Sequence, residues 1–122
     1  MPHVGCFPEN LAWVDRMLTS YPNMVIDVSQ RMAELGRQPR AAARLIVKHS
    51  DRVLFGADSF PPAAALYRLW YRFFESDDEY FSYSPSDGPP PQGRWAVSAL
   101  KLPPDVLEKV YRINAQRVLQ LP

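Results

Sequence analysis

The segment DRVLFGADSF, Asp51 to Phe60, sets a short apolar run behind an aspartate, ends it in glycine, and follows it with a second aspartate and the pair Pro61 and Pro62. Val53, Leu54 and Phe55 are too few for a helix and suit a buried strand. Gly56 predicts a sharp or left-handed exit from that strand. Asp58 then stands at the mouth of a sheet, with the next helix close behind. A carboxylate there can hold a metal or take a proton. It can equally organise the turn, or cap the helix that follows Pro61.

Working outward, the same alternation recurs. Upstream, NMVIDVS (Asn23–Ser29) carries the β-branched Val25, Ile26 and Val28 and predicts a second buried strand, while MPHVG (Met1–Gly5) reads as the end of another. Helices are predicted between and after them. ENLAWVDRMLTSY puts Leu11, Val14 and Leu18 on one face, PRAAARLIVKHS opens with a proline tolerated in the first turn, and PPAAALYRLWYRFFES lines up Leu66, Leu69, Trp70, Phe73 and Phe74. The order is strand, helix, strand, helix, strand, helix, with strands apolar throughout, which implies an α/β fold with a covered parallel sheet. The connections at Tyr21–Asn23 and Ser50–Asp51 are short. Those after the strands, Cys6–Pro8 and Ser29–Gln38, are longer and more polar, and in parallel α/β proteins ligands bind at that rim.

Residues 1–75 are thus expected to form three strand–helix units. Residues 76–122 form a different region: SDDEYFSYSPSDGPPPQGRW, an aromatic loop that turns irregular, and then LPPDVLEKVYRINAQRVLQLP, a closing helix started by Pro104 and Asp105. Tyr80, Phe81 and Tyr83 either line a pocket or dock on the preceding helix. Asp77, Asp78 and Glu79 lack the alternating ligand spacing of a calcium loop and read as a solvated turn.

Composition narrows the function classes. A chain of 122 residues with 47% hydrophobic and 22% charged residues fits one globular domain, and a formal net charge of +1 gives no electrostatic case for nucleic acid or an anionic membrane as partner. A single cysteine, Cys6, cannot form an internal disulfide, no apolar stretch approaches the roughly 20 residues of a membrane span, and the amino terminus lacks a basic region followed by an apolar one. A cytoplasmic location is expected. No glycine-rich phosphate loop follows any strand, which disfavours a flavodoxin-like nucleotide-binding domain.

His3 occupies, on the first strand, the place that Asp58 has on the third. Imidazole next to carboxylate at neighbouring strand ends suits metal-assisted hydrolysis or decarboxylation, whereas a histidine so near a terminus is often merely exposed. Asp27 either faces the mouth of the sheet or hydrogen-bonds a neighbouring loop, a structural use. His49, at a helix end where a cation complements the dipole, reads as structural.

The succession HVG, YPNMVIDVS, DRVLFGADSFP and YRINAQRVL resembles the carboxyl-terminal part of the amidohydrolase-related family, the branch of the metal-dependent amidohydrolases that includes decarboxylases and lactone hydrolases. The resemblance covers nearly the whole chain. It implies the last three units of a (β/α)8 TIM-like barrel plus carboxyl-terminal helices, an incomplete barrel. It further implies that Asp58 is a metal ligand or acid/base group, and that His3 contacts the substrate or an activated water. The implied activity is a hydrolase or carboxy-lyase acting on a small-molecule carboxylate, lactone or amide, with zinc or manganese as the cofactor of the full-length enzymes. GAD stands here where the family more often has Gly-Ser/Thr-Asp, which keeps the carboxylate in place. The family's His-x-His pair on the first strand and its histidine on the fifth have no counterpart, because His3 and His49 are the two histidines present. The chain is therefore expected to be a fragment or truncated form that binds no metal and has no activity alone. Its uncovered sheet edges are expected to promote self-association. The alternative is a non-catalytic interaction module that pairs through such an edge.

Overall fold

A computed structural model describes residues 1–121. Helix α1 spans Leu11–Ser20, β1 Ile26–Asp27, α2 Met32–Leu35, α3 Pro39–Lys48, β2 Val53–Leu54 and α4 Ala64–Glu75. The closing helix runs as α5 Pro104–Glu108, a π turn Lys109–Ile113, and α6 Asn114–Leu119.

Each helix forms where its apolar spacing requires. In α1, Asn10 caps the start by accepting the Trp13 N–H at 3.0 Å, and Leu11, Val14 and Leu18 are buried. In α3, Pro39 opens the first turn and Ala42, Leu45 and Ile46 face inward. Trp70, Phe73 and Phe74 of α4 are fully buried, each such side chain contributing about 1.5–3 kcal/mol or more by leaving water. Phe55 meets the Trp70 ring edge-on at 5.9 Å. The last carbonyls of α4 do not go to water: Phe73 and Phe74 accept the Leu100 and Leu102 N–H groups at 2.8 Å each.

The sheet is parallel and small, with Ile26 opposite Val53 and Asp27 opposite Leu54. The strand predicted at MPHVG is not one. His3–Cys6 form a 3-10 turn with positive φ at His3, Val4, Gly5 and Cys6. Met1 alone keeps a place beside β1, its amino group donating to the Val25 carbonyl at 2.5 Å and its carbonyl accepting from Asp27 N–H at 3.2 Å. The next donor in such a ladder, His3 N–H, goes instead to the Asp27 carboxylate at 3.1 Å. That diversion ends the pairing after one residue. The loop expected at Ser29–Gln38 also contains α2.

The other edge departs from expectation as well. Backbone groups of β2 and the residue after it that face away from β1 were expected to lie open, yet the closing helix holds two of them. Asn114 Nδ2 donates to the Val53 carbonyl at 2.8 Å, and Phe55 N–H donates to the Val110 carbonyl at 2.9 Å. The π turn assists, because Asn114 N–H reaches back five residues to Lys109 rather than four to Val110. The helix thus runs on through Asn114 and lies along β2 where a neighbouring strand would otherwise pair.

In the region after α4, Phe81 and Val97 form an antiparallel bridge. Phe81 and Tyr83 are buried and Tyr80 is exposed. Asp77 and Asp78 form surface ion pairs with Lys101 at 2.6 Å and Arg72 at 2.7 Å. Among the described residues no helix is long and apolar enough to cross a membrane.

Candidate functional site

The 3-10 turn after Met1 and the segment after β2 bring His3 and Asp58 together, with His3 Nε2 3.7 Å from Asp58 Oδ2. The imidazole is oriented by its other nitrogen: Nδ1 lies 2.9 Å from the Ser29 carbonyl. A carbonyl only accepts, so Nδ1 carries a hydrogen, and Nε2 is the nitrogen turned toward the carboxylate. His3 is one-quarter exposed and Asp58 about half, so both are open to a small molecule.

Asp27 builds the rim. Its Oδ1 accepts the N–H groups of both His3, at 3.1 Å, and Ser29, at 3.0 Å, fixing the two segments that carry the imidazole and its partner carbonyl. The structural role expected of Asp27 is the one observed.

Gly56 acts differently from the expectation. Its φ is not positive, whereas Asp58 itself adopts the left-handed conformation at φ 48°. The crowding at 56 is with a side chain: a Cβ there would fall 2.5 Å from Ser29 Oγ, which would have to turn away. Nor does Asp58 cap the following helix, which starts at Ala64 after a residue with no side-chain cap. The Asp58 carbonyl instead accepts from Gln30 Nε2 at 3.0 Å.

Beside Asp58 opens a cleft of about 290 Å³. Met32 and Ala33 of α2, Ala57, and Leu66 and Trp70 of α4 form its apolar walls. Tyr83, Pro85, Pro91 and Gln92 close it from the region after α4. That roof is fastened down: Gln92 Nε2 donates to the Gln30 carbonyl at 3.3 Å, Trp95 Nε1 to the Ala33 carbonyl at 3.4 Å, and Tyr83 Oη to the Gly93 carbonyl at 2.9 Å. Burial pushes the Tyr83 phenol above its usual range, so it stays neutral.

His49 lies elsewhere, in a buried polar cluster. Arg52 Nη2, which can only donate, sits 2.8 Å from His49 Nδ1, and His49 Nε2 sits 2.7 Å from Asp15 Oδ1. The ring is therefore neutral with its hydrogen on Nε2, rather than a cation complementing the helix dipole. Hydrogen bonds from Lys48 first and His49 second hold the Asp15 carboxyl below its usual range.

A divalent metal finds an incomplete donor set here. Asp58 and His3 supply two donors, and among the described residues no group of three or more His, Cys, Asp or Glu could hold a metal ion. Zinc sites need at least three protein ligands, so these residues alone do not fit it.

The sequence singled out His3 and Asp58, which lie close together, and offered Tyr83 as a pocket-lining aromatic, but gave no sign of Gln30, Trp70 or the Pro85–Gln92 part of the roof beside them. Gln30 was accessible in principle, since it directly follows a strand at the ligand-binding rim. The roof lies more than twenty residues beyond Asp58, and no spacing connects it to the cleft.

A family model described as Amidohydrolase matches residues 1–121. No curated protein and no solved structure matches the chain.

Proposed function

The chain belongs to the amidohydrolase family, and from that premise we propose that it carries part of the active site of a metal-dependent hydrolase or carboxy-lyase, with His3 and Asp58 as its reacting groups. The substrate class is a small carboxylate, lactone or amide. The observation that supports the reading is the 3.7 Å approach of His3 Nε2 to Asp58 Oδ2 at the rim of a cleft. The three segments carrying the two groups and Asp27 follow one another as the last units of a (β/α)8 barrel would.

Held through Nδ1–H on Ser29, the imidazole keeps Nε2 free to take a proton from a water molecule as its oxygen attacks a carbonyl carbon. The Asp58 carboxylate then stabilises the imidazolium, and the same proton returns to the leaving group. The zinc or manganese typical of the family requires further donors, which this reading assigns to residues outside these 122.

Manganese titrated into the chain tests the assignment through paramagnetic broadening of proton resonances. Weak binding that broadens His3 and the Asp58 segment, lost in Asp58→Asn, supports it. Equal broadening in Asp58→Asn, or broadening centred on Asp77–Glu79, removes Asp58 from the metal.

A further inference from the structure

We propose that the cleft beside Asp58 binds an uncharged aromatic group, the non-reacting end of the substrate, and rejects a carboxylate at that end. The inference rests on the reading of Asp58 as part of a reacting centre, but its own evidence is the cleft.

Size comes first. A dry cavity of about 150 Å³ is enough to take a benzene ring. The cleft here measures about 290 Å³, which admits a ring with a substituent. Its volume sits at the lower end of small-molecule sites, consistent with part of a ligand rather than a large cofactor.

Charge comes second. Asp58 is the one ionised side chain among the described residues that line the cleft, and no lysine or arginine joins it. Of the arginines close in sequence to the lining, Arg31 pairs with Glu34 at 3.1 Å and Arg37 lies over the Trp95 ring at 4.8 Å, while Arg68 and Arg94 are not among the lining residues. A carboxylate pushed into the cleft would lose water, gain no counter-ion, and meet the negative charge of Asp58.

Shape and polarity come third. Trp70 and Tyr83 bring aromatic rings to the walls, with Met32 and Leu66 as deformable apolar contacts. The Tyr83 hydroxyl is committed to Gly93, and Gln92 to the Gln30 carbonyl, so the roof presents apolar surface with few free donors. Gln30 links the roof to the Asp58 backbone, because its carbonyl receives Gln92 while its own amide donates to the Asp58 main-chain carbonyl. A ligand that seats under the roof is thereby placed against Asp58.

The test uses a matched pair of probes, benzamide and benzoate, which share a ring and differ in charge. Each is titrated into the full chain and followed by the Met32, Ala33 and Ala57 methyl resonances. Saturable shifts with benzamide, and an affinity for benzoate at least tenfold weaker, are expected. Leu66→Trp, which enlarges a lining side chain, should abolish benzamide shifts while circular dichroism stays unchanged; Ala57→Leu, at another lining position, provides a second variant should the first misfold. Asp58→Asn should leave benzamide binding intact and narrow the gap to benzoate. Equal affinity for both probes in the unmodified chain, or benzamide binding that survives both filling variants, overturns the proposal. No metal is present in this experiment, so its failure is separate from a failure of the manganese titration above.

Discussion

Replacing Asn114 by alanine is the most direct probe of how the chain seals its own sheet. The residue is 1% exposed, and its Nδ2 donates to the carbonyls of Ser50 at 2.6 Å and Val53 at 2.8 Å. Both acceptors belong to buried residues. Alanine leaves the two without that donor, and a buried polar group stripped of its partner costs about 1–3 kcal/mol. The expected loss is about 2–5 kcal/mol, a large share of the stability of a domain this size. With a urea slope of about 1–3 kcal/mol per molar, the midpoint should fall by about 1–3 M. Equilibrium urea unfolding followed by Trp fluorescence reads this directly. Asn114→Asp sharpens the test, because it keeps the shape, removes the donor and points a carboxylate at two carbonyls; it should cost at least as much as alanine. Light scattering on either variant should rise, since the uncovered Val53 carbonyl becomes available to another chain. A loss under about 0.5 kcal/mol in Asn114→Ala, with an unchanged slope, would mean that the closing helix does not seal β2.

Three further outcomes are expected. Burial first, and the neighbouring Glu75 second, hold the Tyr111 phenol well above its usual pKa of 10.0, so the folded chain keeps it neutral. The associated stability is complete below pH 10 and drains away as pH rises beyond it. Relative to Tyr111→Phe, the native chain should therefore weaken above pH 10, and absorbance at 295 nm should show this tyrosinate appearing only with unfolding. Asp15 works in the opposite direction: its depressed carboxyl stabilises the fold above the usual value of 3.8, and the contribution is lost as pH falls through its folded pKa. The stability gap between native chain and Asp15→Asn should stay constant above pH 5 and shrink below 3.8, and a gap independent of pH from 3 to 6 would refute that. At Gly36 an added Cβ would meet Val97 Cβ at 2.4 Å, so Gly36→Ala should cost about 1–3 kcal/mol by overpacking rather than stabilise the helix end. Thermal unfolding that shows a higher midpoint would mean the Val97 strap does not lie there.

Much of the chain was legible because local pattern and final burial agree. The faces read from Leu11, Val14 and Leu18, and from Trp70, Phe73 and Phe74, are the faces the structure buries. The two strands at Ile26 and Val53 fall inside the runs predicted for them. His3 and Asp58 were expected to meet as the ends of two parallel strands; the structure brings them within 3.7 Å through a 3-10 turn held by Asp27 instead. What failed did so where a side chain replaced a backbone partner. Asp27 took the His3 N–H and turned an expected strand into a single paired residue; Asn114 took the Val53 carbonyl and turned an expected open edge into a closed one. Neither substitution leaves a periodic trace, because one asparagine inside a helix looks like any exposed polar residue.

These two replacements bear differently on function. The Asp27 contact works at the rim, where it fixes the backbone of His3 and Ser29 beside Asp58. The Asn114 contact works at the sheet edge, where a barrel would need Val53 and Phe55 for its next strand. Those backbone groups cannot serve a helix and a strand at once. A further strand pairing at this edge would require the closing helix to move off β2, exchanging the Asn114 and Val110 bonds for strand bonds. Hydrogen exchange at Phe55 N–H reports that exchange: its protection should depend on Asn114 in this chain and become independent of it wherever a neighbouring strand has taken the edge.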